Sequence, residues 1–196
     1  KNTSLMCTVI INHNPLDGIL NIYSNRDENP LRPSKDWENR DGIISPLDVY
    51  DGTWIGVNKH GIFSCITNWD VLDKPDADIS RGHVVLNTLK ISSINNIIKY
   101  WKSLNINSYR SFNIVAGNID ELYLLSCSDR FTITKLDYGL HILTGLGYNT
   151  GSKRELFIRD NVDKMNADSL MGSHAYGIGS EDSVCVHDEK HLWETR

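Results

Sequence analysis

No stretch of apolar residues in this chain of 196 approaches the ~20 that a membrane-spanning helix needs. Basic runs and basic faces are missing too. With a net charge of -5, nothing points to nucleic acid as a partner. Cysteine is sparse: Cys7, Cys65, Cys127 and Cys185 lie far apart and form no C-x-x-C pair. That spacing argues against a zinc site and suits reduced thiols of a cytoplasmic protein. The seven histidines do not cluster along the chain. His83 and His174 have no acidic partner at a recognisable spacing, so neither a Ser-His-Asp triad nor a metal site is expected. Internal repeats and low-complexity tracts are lacking, and no cofactor is implied. Residues 1–5 are too short and too polar for a signal peptide and read as an N-terminal extension. Residues 6–196 then form a single domain.

What is present is an ordinary globular balance, 40% hydrophobic and 23% charged. Residues 5–12 (LMCTVIIN) predict a buried internal strand. Asn14-Pro15-Leu16-Asp17-Gly18 is a turn, and residues 18–24 return as the second arm of a hairpin. Residues 31–40 read as irregular and 42–46 as a short strand. Residues 53–57 and 62–67 are strands rich in β-branched and aromatic side chains. A charged loop spans 68–80. Ser80 is the expected N-cap of a helix carrying Val84, Val85, Leu86 and Leu89, and Ser93 caps a second with Ile94, Ile97, Ile98 and Trp101. The period then returns to two, giving strands at 112–116, 121–126, 131–135 and 140–144. A glycine-rich loop at 145–152, a helix over 155–165, an irregular stretch over 166–180 and a hairpin of 183–187 with 191–195 complete the chain. Strands, two helices, strands again and a further helix suit an α+β domain: two antiparallel sheets flanked by helices, of which a four-layer αββα sandwich is one arrangement.

The chemistry concentrates where the second strand ends. Asn25-Arg26-Asp27-Glu28 sets an amide, a guanidinium and two carboxylates side by side, and Pro30 and Pro33 stop regular structure beyond them. The stretch reads either as a surface turn with a local ion pair or as part of a site. Cys7, directly after Met6, reads either as an inert strand thiol or as a nucleophile. If Met6 is removed, Cys7 carries a thiol and a free α-amine on one residue. The amine, with a reference pKa near ~7.7–8.0, can then act as base for its own thiol. Arg26 would favour the thiolate, and Asp27 or Glu28 would orient the amine. Asn68 and Asn149 are candidate donors to an oxyanion. Arg81-Gly82 reads either as the start of a helix whose N-terminus points toward the same end of the sheets or as a solvated first turn.

Met6-Cys7-Thr8, Ser24 to Glu28 with Arg32-Pro33-Ser34 and Trp37, Gly52-Thr53-Trp54-Ile55-Gly56, Thr67-Asn68-Trp69 and Ser80-Arg81-Gly82 occur in this order. Together they resemble the NRDE family, named for its Asn-Arg-Asp-Glu motif and including transport and Golgi organisation protein 2. Phe112 to Val115 and the closing hairpin resemble it more loosely. The resemblance implies the αββα fold of the N-terminal nucleophile hydrolases. By pattern it is similar to the choloylglycine hydrolases: penicillin V acylase, bile salt hydrolase and the ceramidase-like amidases. On that likeness Cys7 corresponds to the nucleophile, Arg26 to the arginine beside the thiol, and Asp27 or Glu28 to the acid that holds the α-amine. Asn68 corresponds to the residue lining the oxyanion hole, and Arg154 to a later arginine. Trp54, Trp69, Arg81, Asn149 and Arg154 are the expected substrate-binding residues. The pattern departs at Leu143-Thr144-Gly145, where a second asparagine is expected and Asn149 is the substitute.

Three functions are consistent with these residues. One is a cysteine amidohydrolase acting on a linear amide of a small molecule. Another is a non-enzymatic protein that binds a lipid, acyl or haem-like ligand on the same fold. The third is an assembly partner.

Overall fold

The computed structural model describes residues 7–69, 79–188 and 193–195. Residues 1–6, most of the expected 68–80 loop and the tip of the closing hairpin lie outside the described residues. Strands β1 (Thr8–Asn14) and β2 (Ile19–Asn25) form the expected hairpin. Gly18, at φ 66°, closes the turn between them by donating its N–H to the Pro15 carbonyl at 3.2 Å. There follow β3 (Asp27–Glu28), β4 (Glu38–Arg40), β5 (Ile43–Ser45), β6 (Ile55–Asn58) and β7 (Phe63–Asn68). Helices α1 (Gly82–Leu89) and α2 (Ile94–Lys102) come next, then strands β8 (Phe112–Gly117), β9 (Leu122–Cys127), β10 (Phe131–Leu136), β11 (Gly139–Thr144) and β12 (Gly147–Tyr148). The chain ends with α3 (Lys153–Asn161), α4 (Ala167–Met171), β13 (His187–Asp188) and β14 (Trp193–Thr195).

The strands make a four-stranded sheet in the order β12-β11-β1-β2 and a seven-stranded sheet in the order β10-β9-β8-β7-β6-β5-β4. A small third sheet, β13-β14-β3, joins the end of the chain to the Asp27-Glu28 pair. Every ladder is antiparallel. The reason β1 is internal is written in its composition. Val9 and Ile11 point to one side and pack with Phe63, Cys65, Val115 and Leu124 of the other sheet. Ile10 points to the opposite side and packs with Ile142, Ile158 and Leu170 under α3 and α4. A strand apolar on both faces needs a layer on each. The larger sheet is layered likewise: Val115 and Leu124 face inward, while Ile114 and Leu125 meet Val85, Ile97 and Trp101 of α1 and α2. The result is helix, sheet, sheet, helix, the α+β sandwich expected from the pattern.

Several boundaries differ from expectation, each for a local reason. The irregular stretch 31–40 ends in β4, which pairs with β5. Ser80 does not cap α1: Arg81 holds the N-cap position and makes no side-chain capping bond. The loop at 52–53 presses on the helix start instead. A Cβ on Gly82 would lie 2.9 Å from the Thr53 nitrogen and 3.0 Å from the Gly52 Cα, so only glycine fits. The strand expected at 53–57 starts at Ile55, because Thr53 turns its hydroxyl to the Ile55 carbonyl at 2.9 Å. The third helix starts two residues earlier than expected and stops at Asn161. Its signal is the S-x-x-E box at Ser152 and Glu155: the Ser152 hydroxyl accepts from the Glu155 N–H, and the Glu155 carboxylate accepts from the Gly151 N–H. The stretch 166–180 contains α4, capped by the Asn166 side chain, which accepts from the Ser169 N–H. Its Leu170 enters the outer core. Of the expected closing hairpin, the described residues pair 187–188 with 193–194. Among the described residues no helix is long and apolar enough to cross a membrane.

Candidate active site

Asn25 to Glu28 runs as extended chain, so its side chains alternate between two faces. Asn25 and Asp27 take one face. The Asn25 amide donates to the Met171 and Val184 carbonyls at 2.7 and 3.0 Å, which ties the end of β2 to the outer helix layer. Arg26 and Glu28 take the other face and line a cleft of about 670 Å³. All four are buried, so the stretch is not a solvated turn.

Burying this much charge requires pairing. On the cleft side Glu28 accepts from Arg26 at 3.1 Å and from Arg32 at 2.9 Å through one oxygen, and from the Asn29 N–H at 3.0 Å through the other. Arg32 also donates to Asp48 at 2.5 Å. The second oxygen of Asp48 accepts from the Tyr50 and Gly52 N–H groups, which shapes the 48–52 turn. The guanidinium of Arg26 lies over the Trp54 ring, 4.7 Å from its centroid. On the opposite face Arg154 donates to Asp27 at 3.2 Å, to the Thr8 hydroxyl at 2.8 Å and to the Glu181 carbonyl at 2.7 Å. The Thr195 hydroxyl donates to the other Asp27 oxygen at 2.5 Å. Three guanidiniums (Arg26, Arg32, Arg154) thus balance three carboxylates (Asp27, Glu28, Asp48).

The cleft gathers many of the residues singled out from the sequence. Cys7, Arg26, Glu28, Trp54, Asn68 and Arg81 all line it. The other four lie elsewhere. Asp27 is 4% exposed and directs its carboxylate away from the cleft, toward Arg154 and Thr195. Arg154, expected to bind substrate, is 1% exposed and braces Asp27 and β1 from behind. Asn149 has a backbone in the left-handed region, at φ 49°, and its side-chain oxygen accepts from Arg159 at 2.8 Å. It belongs to the turn before α3 and not to the cleft lining. The Trp69 indole donates to the Leu146 carbonyl at 3.1 Å and pins that same loop. The question left open between Asp27 and Glu28 has a geometric answer for Arg26: its partner is Glu28, the residue on its own face.

The Cys7 thiol is 9% exposed and points at the Asp27 carbonyl oxygen, 3.9 Å away. Burial pushes it from an ordinary 9.0 up to about 12, and the Asp27 charge adds to the rise. The charge of Arg26 acts the other way, as expected, but burial outweighs it. With a peptide bond in front of Cys7, the thiol is therefore protonated at neutral pH. Alkylation of Cys7 at pH 7.5 is expected to run roughly 10³ slower than that of an ordinary thiol, in proportion to its thiolate fraction. Its rate should climb about tenfold per pH unit well past pH 9. Arg26→Ala should slow it further at every pH. Quantitative mass spectrometry of the Cys7 peptide reads both effects, and identical rates in the variant would show that the guanidinium does not act on the thiol.

Sequence reasoning passed over Asp48 and Thr195, which carry no motif of their own. Arg32 was legible only as part of a longer pattern. The reading that histidines do not cluster is corrected for one pair: His174 and His187, 13 residues apart, bring their ring centroids to 5.3 Å. None of the four cysteines forms a disulfide.

No curated protein sequence matches this chain. Among solved structures, the chain is similar to a Caenorhabditis elegans ortholog of N-acylethanolamine-hydrolyzing acid amidase, with TM-score 0.54 and 12% identity over 87% of each chain. It is also similar to a variant of the conjugated bile acid hydrolase of Clostridium perfringens, with TM-score 0.51 and 11% identity, over 80% of this chain and 57% of that one. The chain thus spans little more than half the length of the bile acid hydrolase. At these identities the likeness is one of fold, and that fold is the N-terminal nucleophile hydrolase sandwich expected from the motifs. The family model described as Transport and Golgi organisation 2 matches residues 6–179, and the chain belongs to that family.

Proposed function

We propose that this protein is a cysteine amidohydrolase of the N-terminal nucleophile type, acting on a linear carbon–nitrogen bond of a small amide. The observation that carries the reading is the position of Cys7: it lines the cleft together with Arg26 and Asn68, directly before the internal strand β1 begins. A thiol held at about 12 needs a base, and among the described residues that line the cleft Glu28 and His83 have other partners. Glu28 is shared by two arginines, and the His83 ring contacts the Tyr50 carbonyl at 3.3 Å. The α-amine of a processed Cys7 fills the role. It takes the thiol proton, and the sulfur attacks the amide carbonyl carbon. Asn68 donates to the resulting oxyanion. The C–N bond breaks as the ammonium returns its proton to the leaving nitrogen, which gives an acyl-thioester. Water, deprotonated by the same amine, attacks the thioester and releases the acid and the thiol. The unbridged thiols fit a reducing cytoplasm.

Hydrolysis of a panel of fatty-acyl, aryl-acyl and bile-acyl amides by a chain starting at Cys7 tests the reading. Asn68→Ala should lower kcat by about 10²–10³, the usual loss for one oxyanion donor. A variant that keeps its full kcat would remove Asn68 from the mechanism. One feature favours a second reading, a ligand-binding protein for a lipid, acyl or haem-like molecule: apolar Trp54, Ile66 and Ile79 share the cleft. Stoichiometric binding that survives Cys7→Ser, without turnover of any amide, would establish that reading instead.

A further inference from the structure

We propose that His174, Cys185 and His187 form a binding site for a divalent late-transition cation of the zinc type, separate from the cleft. The three residues do not line the cleft and have no part in the proposed hydrolysis. Imidazole and thiolate are the donors such ions prefer. One donor atom can be taken from each residue so that all three lie within 4.8 Å of one another. The Cys185 sulfur is 3.4 Å from Nε2 of His187. A tetrahedral zinc ion with its usual bond lengths holds its sulfur and nitrogen ligands roughly 3.5 Å apart. These two side chains therefore stand at the separation the ion imposes.

The surroundings are built as metal sites are. Nδ1 of His174 lies 2.9 Å from the Cys185 carbonyl oxygen. A carbonyl only accepts, so Nδ1 carries the proton and Nε2 keeps the lone pair that a cation needs. A ring nitrogen anchored on a backbone carbonyl is the usual support of a ligating histidine. The two backbone segments are already clamped together: the Cys185 N–H donates to the Ser173 carbonyl at 3.0 Å, and the His187 N–H to the Ile178 carbonyl at 2.9 Å. Cys185 is buried and both histidines are half-buried, which protects a thiolate–metal bond while leaving a way in. Three protein donors leave a fourth position for water or a small ligand.

The place in the fold suggests what the ion does. His187 opens β13, and the preceding Val186 exchanges two bonds with Thr195: the Val186 N–H donates to the Thr195 hydroxyl oxygen at 2.7 Å, and the Thr195 N–H donates to the Val186 carbonyl at 2.9 Å. Thr195 in turn donates to Asp27. A cation on His174, Cys185 and His187 would fasten the 173–179 loop to β13, whose neighbour β14 carries the Thr195 that bonds Asp27.

Cobalt titration of the chelator-treated full chain tests the proposal. One equivalent of Co²⁺ per chain should bind with a thiolate-to-cobalt charge-transfer band and tetrahedral visible bands, and Zn²⁺ should displace it. Cys7→Ala should leave the spectrum unchanged. Cys185→Ser should abolish the charge-transfer band, and His187→Gln or His174→Gln should weaken binding by at least roughly tenfold. Independently of any variant, Zn²⁺ should protect Cys185 of the unsubstituted protein from alkylation in a peptide map. No band or no protection in the unsubstituted protein would overturn the site and leave Cys185 and His187 as a simple S–H···N pair. A band lost in Cys7→Ala, or kept in Cys185→Ser, would place the metal elsewhere and overturn it equally.

Discussion

A chain that begins at Cys7 is expected to hydrolyse a small linear amide, and its Cys7→Ala variant to retain only background. Removing a hydrolase nucleophile costs on the order of 10⁶ in kcat. The same chain with residues 1–6 still attached should lose nearly as much, although β1 starts at Thr8 and its ladder does not depend on what precedes Cys7. The reason lies in the thiol. Burial holds it at about 12, and Arg26 alone does not bring it down. An α-amine titrating near ~7.7–8.0 supplies both a base for the proton and, once protonated, a cation beside the thiolate. Acylating that nitrogen removes both at once. Nucleophile and amine work as a unit, so the losses from Cys7→Ala and from the extension should not add. Intact mass and the kcat/KM of each form, measured on the same amide, give the comparison. An extended chain that turned over amides at the full rate would end the amine mechanism. A processed chain inert across the panel would move the protein to the ligand-binding reading.

Arg154→Met should destabilise the fold by about 3–5 kcal/mol at neutral pH, the usual cost of leaving one member of a buried ion pair alone. Arg154 is 1% exposed and Asp27 4% exposed, and solvent reaches neither to compensate. The penalty should depend on pH in a definite direction. Burial raises the Asp27 carboxyl above its ordinary 3.8, and the Arg154 charge is the leading influence that opposes the rise. Without Arg154 the carboxyl rises further. A carboxyl whose folded pKa exceeds its unfolded one is stabilising in its protonated form below the unfolded value, and that contribution is lost as pH climbs through the folded value. The variant should therefore recover part of its deficit at pH 5 and be weakest at pH 7.5 and above. Urea unfolding of both proteins at the two pH values measures this. An equal deficit at both would mean that Asp27 stays ionised and finds another partner.

Much of the architecture was legible in the residues. The run 5–12 (LMCTVIIN) called for a buried internal strand, because no edge position buries both faces of such a strand. Leu89, Ile97 and Trp101 marked two helices by their spacing, and the period-two runs after Ser111 marked an antiparallel meander. Motif order placed Cys7, Arg26 and Asn68 in one site. What the residues alone did not decide was which way each side chain faces and what stands behind it. Asn25-Arg26-Asp27-Glu28 looks like one polar cluster, yet as extended chain it divides between two layers, and only the layers say that Glu28 serves Arg26 while Asp27 serves Arg154. Asp27 meets Arg154 across 127 residues and Thr195 across 168, and no local period encodes such distances. His174 and His187 were invisible as a pair for the same reason: the loop and strand that carry them meet only once the chain has folded. The Cys7 thiol was named by its neighbours in sequence, but its proton affinity is set by burial, a property of the packed sandwich and of no residue in it.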